Sequence, residues 1–295
     1  MISDRRNNKK RKSWIVPLTA AVIVAMFGAY WIRSPMPAEI RQRDLEGIIR
    51  KNARIKKMVP GSSGRVYLIA QEHYYAPLSI TGRDTNAKQA ESLSRIQSEI
   101  YHLLYDLIRS SGVDFIVGEG LAPGELTLSY DRKGFTREQW LENKECMQDR
   151  NFSASFLRAN PKETGYTLLE FFHSDAVISW GVDDRRQRED LEELEKQLLA
   201  VGLKYVPTKK DYDDPIKRKL AETASEPIRQ RKRELNDERS MLYLHQAIAR
   251  ADELKKEDVA IVIGAYHVPL MAKKYSGKRT LYVICPKSAA PIKLD

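Results

Sequence analysis

The chain has 295 residues, a net charge of +10, 31% charged and 42% hydrophobic residues. That balance is of an ordinary globular protein, long enough for a sizeable core in one or two domains. Two cysteines, Cys146 and Cys285, exclude a cysteine-based zinc finger. The basic excess comes without a nucleic-acid-binding motif; attraction to anionic lipid headgroups is sufficient to explain it, and no nucleic-acid partner is expected.

Residues 1–13 form a basic tail, with Arg5, Arg6, Lys9, Lys10, Arg11 and Lys12 against Asp4. Residues 14–32 then carry no charge. As a helix they span roughly 28 Å, close to the hydrocarbon thickness of a bilayer. Trp14, Tyr30 and Trp31 sit at the ends, where interfacial aromatics belong. A cleaved signal peptide is the alternative, but the apolar core is too long and residues 33–38 make a poor cleavage site. The expectation is an uncleaved transmembrane anchor. The flanking Lys and Arg put the tail in the cytoplasm and the main domain outside it. There a Cys146–Cys285 disulfide is permitted, though spacing alone does not establish it.

Residues 33–60 are highly charged, with Ile40, Leu45, Ile48, Ile49 and Ile55 at loosely helical spacing up to Met58. They read as a stalk helix or a lid. The Pro-Gly-Ser-Ser-Gly run at 60–64 breaks that pattern, so the domain is expected over 61–295. A first apolar strand, 65–70, leads through Gln71 and Glu72 to His73. Residues 86–110 carry an apolar stripe that predicts a helix, stopped at Gly112. The strand 113–118 follows and ends at Glu119. This strand–helix–strand order is the signature of a parallel pair.

Helices are expected over 136–149 and 164–173, then a strand over 177–182 that ends at Asp183 and Asp184. A helix over 189–200, one or two long helices over 216–255, a strand over 259–264, a short helix over 266–275 and a strand over 280–285 complete the pattern. The fold class is α/β, a mostly parallel sheet with flanking helices behind one N-terminal transmembrane helix.

In such sheets ligands bind outside the carboxyl ends of the strands. Parallel strands would bring His73, Glu119, Asp183 or Asp184, and His267 to one crevice. Asp184 has a second reading as a helix cap. Two histidines with one or two carboxylates suit a divalent metal such as zinc or manganese, and equally suit metal-free acid–base work. His102 and His245 fall within helices and read as packing or surface residues. His173, at a helix end, offers a dipole contact.

The segment Gly264-Ala265-Tyr266-His267 resembles the G-x-x-H motif of the TraB/PrgY/Tiki-like superfamily, which has EreA- and ChaN-like relatives. Glu238-Arg239-Ser240-Met241 resembles the E-R-x-x-M-A helix that precedes the motif. Residues 68–73 resemble the family's opening strand, and Val117-Gly118-Glu119-Gly120 its second-strand glutamate. Ala70 stands in place of the opening glycine, and Gln71 in place of the ChaN-like glutamate. The resemblance implies a hydrolase acting on a peptide or a small-molecule ester, as Tiki-like members are metal-dependent peptidases and EreA-like ones esterases. His73, Glu119, Glu238, Arg239 and His267 would be its site residues, with His73, Glu119 and His267 as metal ligands. ChaN-like relatives are associated with haem, which leaves a non-catalytic module for haem or a peptide signal as the alternative.

Overall fold

Seven strands build the core of the computed structural model, which describes residues 38–72, 87–119, 124–125, 135–160 and 163–294. They are β1 (Ala53–Val59), β2 (Arg65–Gln71), β3 (Phe115–Gly118), β4 (Gly124–Glu125), β5 (Ile178–Gly181), β6 (Asp258–Gly264) and β7 (Thr280–Pro286), in the sheet order β1-β7-β2-β6-β3-β5-β4. The five central strands are parallel; β1 and β4 add antiparallel edges. The chain divides into two compact units, Met1–Asp44 and Leu45–Asp295, and the second holds this sheet. The basic tail 1–13, the expected span 14–32 and His73 lie outside the described residues. Among the described residues no helix is long and apolar enough to cross a membrane.

Strand alternation sorts the core into two layers. In β2, Val66, Leu68 and Ala70 face one side, Tyr67 and Ile69 the other. In β6, Val259, Ile261 and Ile263 join the first side, Ala260 and Val262 the second. The second side is covered by Leu45 and Ile49 of α1 (Ala38–Asn52), by α2 (Ala87–Ser111), α3 (Arg137–Cys146), α4 (Arg150–Ala159) and α5 (Gly165–His173). The first side is covered by α8 (Pro215–Glu253) and α9 (Val268–Lys274). With both faces covered, a parallel strand is apolar on both, which is why 259–263 reads as an unbroken hydrophobic run. Between β5 and α8 lie α6 (Arg185–Tyr205) and the short α7 (Lys209–Asp213).

The structure differs from the sequence expectation at two places. The charged segment 38–58 is helical only to Asn52; β1 then pairs with β7, so the sheet begins ahead of residue 61. Its Lys56 and Lys57 are exposed on an edge strand, a position where lysine discourages further pairing. The strands β2 and β3 are parallel but not adjacent, because β6 is inserted between them. Of the one or two helices expected over 216–255, the structure forms one, α8, which continues through Pro227. Cys146 and Cys285 are free thiols, so the permitted disulfide is not formed.

Candidate active site

The insertion of β6 decides what meets at the carboxyl edge. Gly264 ends β6 beside Gln71 of β2, and Gly118 ends β3 on the other flank. The Glu119 amide donates to Val262 O (3.1 Å), and the Ala265 amide donates to Gln71 O (2.9 Å), which pins all three strand ends together. Gly118 is required by packing: a Cβ there would lie 2.0 Å from Cε1 of Tyr166.

The Glu119 side chain crosses to the end of β6. Its Oε2 accepts from the Gly264 amide (2.7 Å), and its Oε1 lies 3.2 Å from Nε2 of His267. His267 starts α9 after a tight turn whose closing bond runs from its own amide to Gly264 O (2.9 Å). The other ring nitrogen, Nδ1, is 2.7 Å from Oγ of Ser240 on α8. Ser240 Oγ in turn donates to Asn236 O (2.6 Å). Both far ends of the His–Glu pair are therefore fixed by backbone or by a helix side chain.

A second cluster adjoins the first. Arg239 Nη2 donates to Asp183 Oδ1 (2.8 Å) and sits 3.9 Å from Glu119 Oε1. Tyr243 OH donates to the same Asp183 oxygen (2.5 Å) and accepts from Arg239 Nε (2.9 Å). Arg188 Nε donates to Asp183 Oδ2 (3.1 Å). Burial and then the bond to Asp183 push the Tyr243 phenol far above its ordinary range, so it stays protonated as a donor. Burial opposes the Arg239 charge, but contact with Tyr243 and Asp183 outweighs it and raises that pKa. A buried charge needs such partners, and Asp183 saturates its acceptors on two arginines and a tyrosine.

The expected residues separate into those brought together and those not. Glu119, Asp183, Arg239 and His267 converge. Asp184 instead caps α6, accepting from the Arg186 (2.9 Å) and Gln187 (3.1 Å) amides. Glu238 points to the exposed side of α8 and pairs with Arg231 (3.4 Å), away from the cluster. Gln71 is buried at the cleft; the Glu72 carboxylate turns outward to accept from the Ala290 amide (3.0 Å). His73 lies outside the described residues. Among the described residues no three His, Cys, Asp or Glu side chains form a metal-binding group.

Ser240 and Tyr243 escaped the sequence reading. The available signal was helical spacing, since 236, 239, 240 and 243 repeat three to four apart on α8. His102 and His173 pack against hydroxyl partners, and His245 is exposed. His102 meets Ser153 Oγ (3.1 Å), and burial, with Arg150 nearby, pushes it down to about 4. His173 meets Tyr101 OH (3.0 Å), and burial with Lys144 pushes it down to about 4 as well. A neutral ring gives no charge–dipole contact at its helix end, which corrects the expectation for His173.

The pair opens on a cleft of ≈ 1070 Å³ bounded by the strand ends, α6 and α8. A cleft of such a volume beside buried, mutually oriented ionisable groups is the usual setting of an active site. The chain matches no protein-family model, no curated protein and no solved structure.

Proposed function

We propose that the chain is a hydrolase of peptide or ester bonds, as the TraB/PrgY/Tiki-like resemblance implies, anchored by residues 14–32 with its site outside the cytoplasm. The observation that carries the reading is the approach of His267 Nε2 to Glu119 Oε1. The Ser240 hydroxyl has a single proton, and Asn236 O takes it. Toward His267 the same oxygen then accepts, so Nδ1 carries the hydrogen. In a neutral ring Nε2 thereby turns a lone pair on a carboxylate oxygen. Such a pair is stable with a cation between the two atoms, either a proton or a metal ion.

The donor set suits a divalent metal in kind: an imidazole nitrogen whose far side is held by a hydrogen bond, beside an anchored carboxylate. Glu119 and His267 would hold it, with His73 as the third ligand the resemblance implies. Zinc or manganese there would polarise a substrate carbonyl and acidify a bound water. The residues of the chain have their own tasks. With no metal held there, His267 Nε2 is free to take a proton from a water in the cleft and return it to the leaving oxygen or nitrogen. Glu119 orients that water and balances the imidazolium charge. The Arg239 guanidinium, fixed by Asp183 and Tyr243, stabilises the negative charge that develops on the carbonyl oxygen.

The test is hydrolysis of a panel of peptides and small esters by the purified full chain, before and after chelation and with added zinc or manganese. Turnover abolished by His267→Ala and by Glu119→Gln is expected. Turnover that survives both substitutions sinks the reading.

A further inference from the structure

The helix α8 carries a charge pattern that the reaction centre does not use. Positions 229, 232, 233, 236, 239 and 240 fall three to four apart and so share one stripe of the helix. Its lower members, Arg239 and Ser240, hold Asp183 and His267. Its upper members, Arg229, Lys232 and Arg233, all line the cleft. At 1.5 Å per residue the stripe rises about 15 Å from Arg239 to Arg229.

Elsewhere on α8 several arginines have acids on their own helix: Arg231 meets Glu234 (3.5 Å) and Glu238 (3.4 Å), Arg218 meets Glu222 (3.9 Å), and Arg250 meets Glu253 (2.8 Å). In the cleft stripe Arg233 has such an acid, but among the described residues its neighbours do not. Arg229 has Lys232 at i+3 and Arg233 at i+4, a like-charge spacing that is unfavourable on a bare helix. The acid within its reach, Glu226, is engaged by Arg233 (2.5 Å), and Arg229 has no ion pair among the described residues. Lys232 is partly neutralised by Glu195 of α6 (2.8 Å). Glu192 also stands on the α6 wall, beside Leu191 and Leu198. Arg229, Lys232 and Arg233 thus line the α8 wall, and Leu191, Glu192, Glu195 and Leu198 line the α6 wall, where the one cation among the described residues, Arg188, is spent on Asp183.

We propose that this stripe binds a multiply charged, phosphate-type anionic group on the far end of the ligand. Two guanidinium forks and an ammonium within two helical turns supply more donors than one carboxylate can use, and they match a tetrahedral oxyanion. Leu191 and Leu198 face the uncharged portion that bridges to His267. This rests on the hydrolase reading only for what happens at the His267 end; binding of the anion requires no turnover.

Calorimetric titration of the full chain in detergent, with pyrophosphate, inorganic phosphate and acetate in turn, tests it. Pyrophosphate is expected to bind most tightly and to weaken as salt rises. The exposed pair Arg229→Ser/Arg233→Ser should lose about tenfold or more in affinity. Arg231→Ser, on the opposite side of the helix, and His267→Ala should keep it. No pyrophosphate binding, affinity equal to that for acetate, or an equal loss in Arg231→Ser overturns the proposal. Binding through the stripe without any hydrolysis keeps this inference and rejects the hydrolase; hydrolysis without such binding does the reverse.

Discussion

Nε2 of His267 and Oε1 of Glu119 lie 3.2 Å apart although 148 positions separate them in the numbering, because β6 enters the sheet directly beside β3. The Gly264 amide holds the second Glu119 oxygen, so the carboxylate is fixed at both ends. Glu119→Gln keeps an oxygen for that amide but removes the charge facing the imidazole. The expected result is a fall in turnover of about 10²–10⁴-fold. Thermal unfolding should move little by comparison. Equal losses of activity and stability would mean that Glu119 acts by packing alone.

Asp183 is the keystone of the adjoining ion cluster. Removing it leaves Arg239 buried with two neutral partners, Tyr243 and Asn236, and with Glu119 only at 3.9 Å. Asp183→Ala should cost about 3–5 kcal/mol, the penalty for breaking a buried ion pair from one side. Tyr243→Phe removes the hydroxyl's bonds to Asp183 and Arg239 but leaves the ion pair, so about 1–3 kcal/mol is expected. Urea unfolding of the two variants checks the ordering, which a merely steric role for Asp183 would not produce.

The parallel strands and the residues at their ends were legible because each strand is a short apolar run with an ionisable residue directly after it. Adjacency was not legible. The connection β2–α2–β3 reads as a neighbouring pair, and the strand that separates them lies some 140 residues downstream in the chain. The edge strand β1 was hidden by its charge: Arg54, Lys56 and Lys57 suit a solvated helix face and an exposed sheet edge alike. The role of Asp183 against Asp184 could not be split by sequence, since strand alternation and capping both act at that junction. Only the burial of Asp183 against α8 separates them.

The close approach of Tyr166 to Gly118 gives a prediction with no electrostatic content. A methyl group there would meet the ring at 2.0 Å, and that tyrosine is itself fully buried. Gly118→Ala should destabilise by about 1–3 kcal/mol through overpacking. Gly118→Ala combined with Tyr166→Leu should recover part of the loss, measured as unfolding midpoints.

Two buried histidines set the acid limb of stability. His102 and His173 are both pushed down to about 4 by burial, while in the unfolded chain they titrate near the ordinary histidine value of 6.5. A depressed folded pKa contributes stability that is present above about pH 6.5 and lost as pH falls toward 4. Each histidine should lose about 3 kcal/mol by pH 4, and His102→Gln/His173→Gln should flatten the fall. At the other end, burial raises Tyr67, Tyr101, Tyr166 and Tyr243. A raised folded pKa contributes stability that is complete below about pH 10 and declines as pH rises above it. Denaturant midpoints measured from pH 4 to pH 11 report both limbs.

Glu238 and Arg239 are sequence neighbours with opposite surroundings. The Glu238 side chain is 56% exposed and that of Arg239 7%. Glu238→Ala removes an exposed ion pair with Arg231, so stability should change by about 0.5 kcal/mol or less and turnover should be unchanged. Arg239→Lys keeps the charge but loses the fork that reaches Asp183 and Tyr243 together. Turnover should fall about 10²-fold or more as the oxyanion-facing group loses its fixed position. Steady-state kinetics of the two variants decide between a site built on Arg239 alone and one that also uses Glu238. A loss of turnover in Glu238→Ala would bring the neighbouring carboxylate into the mechanism and require the exposed face of α8 to meet substrate.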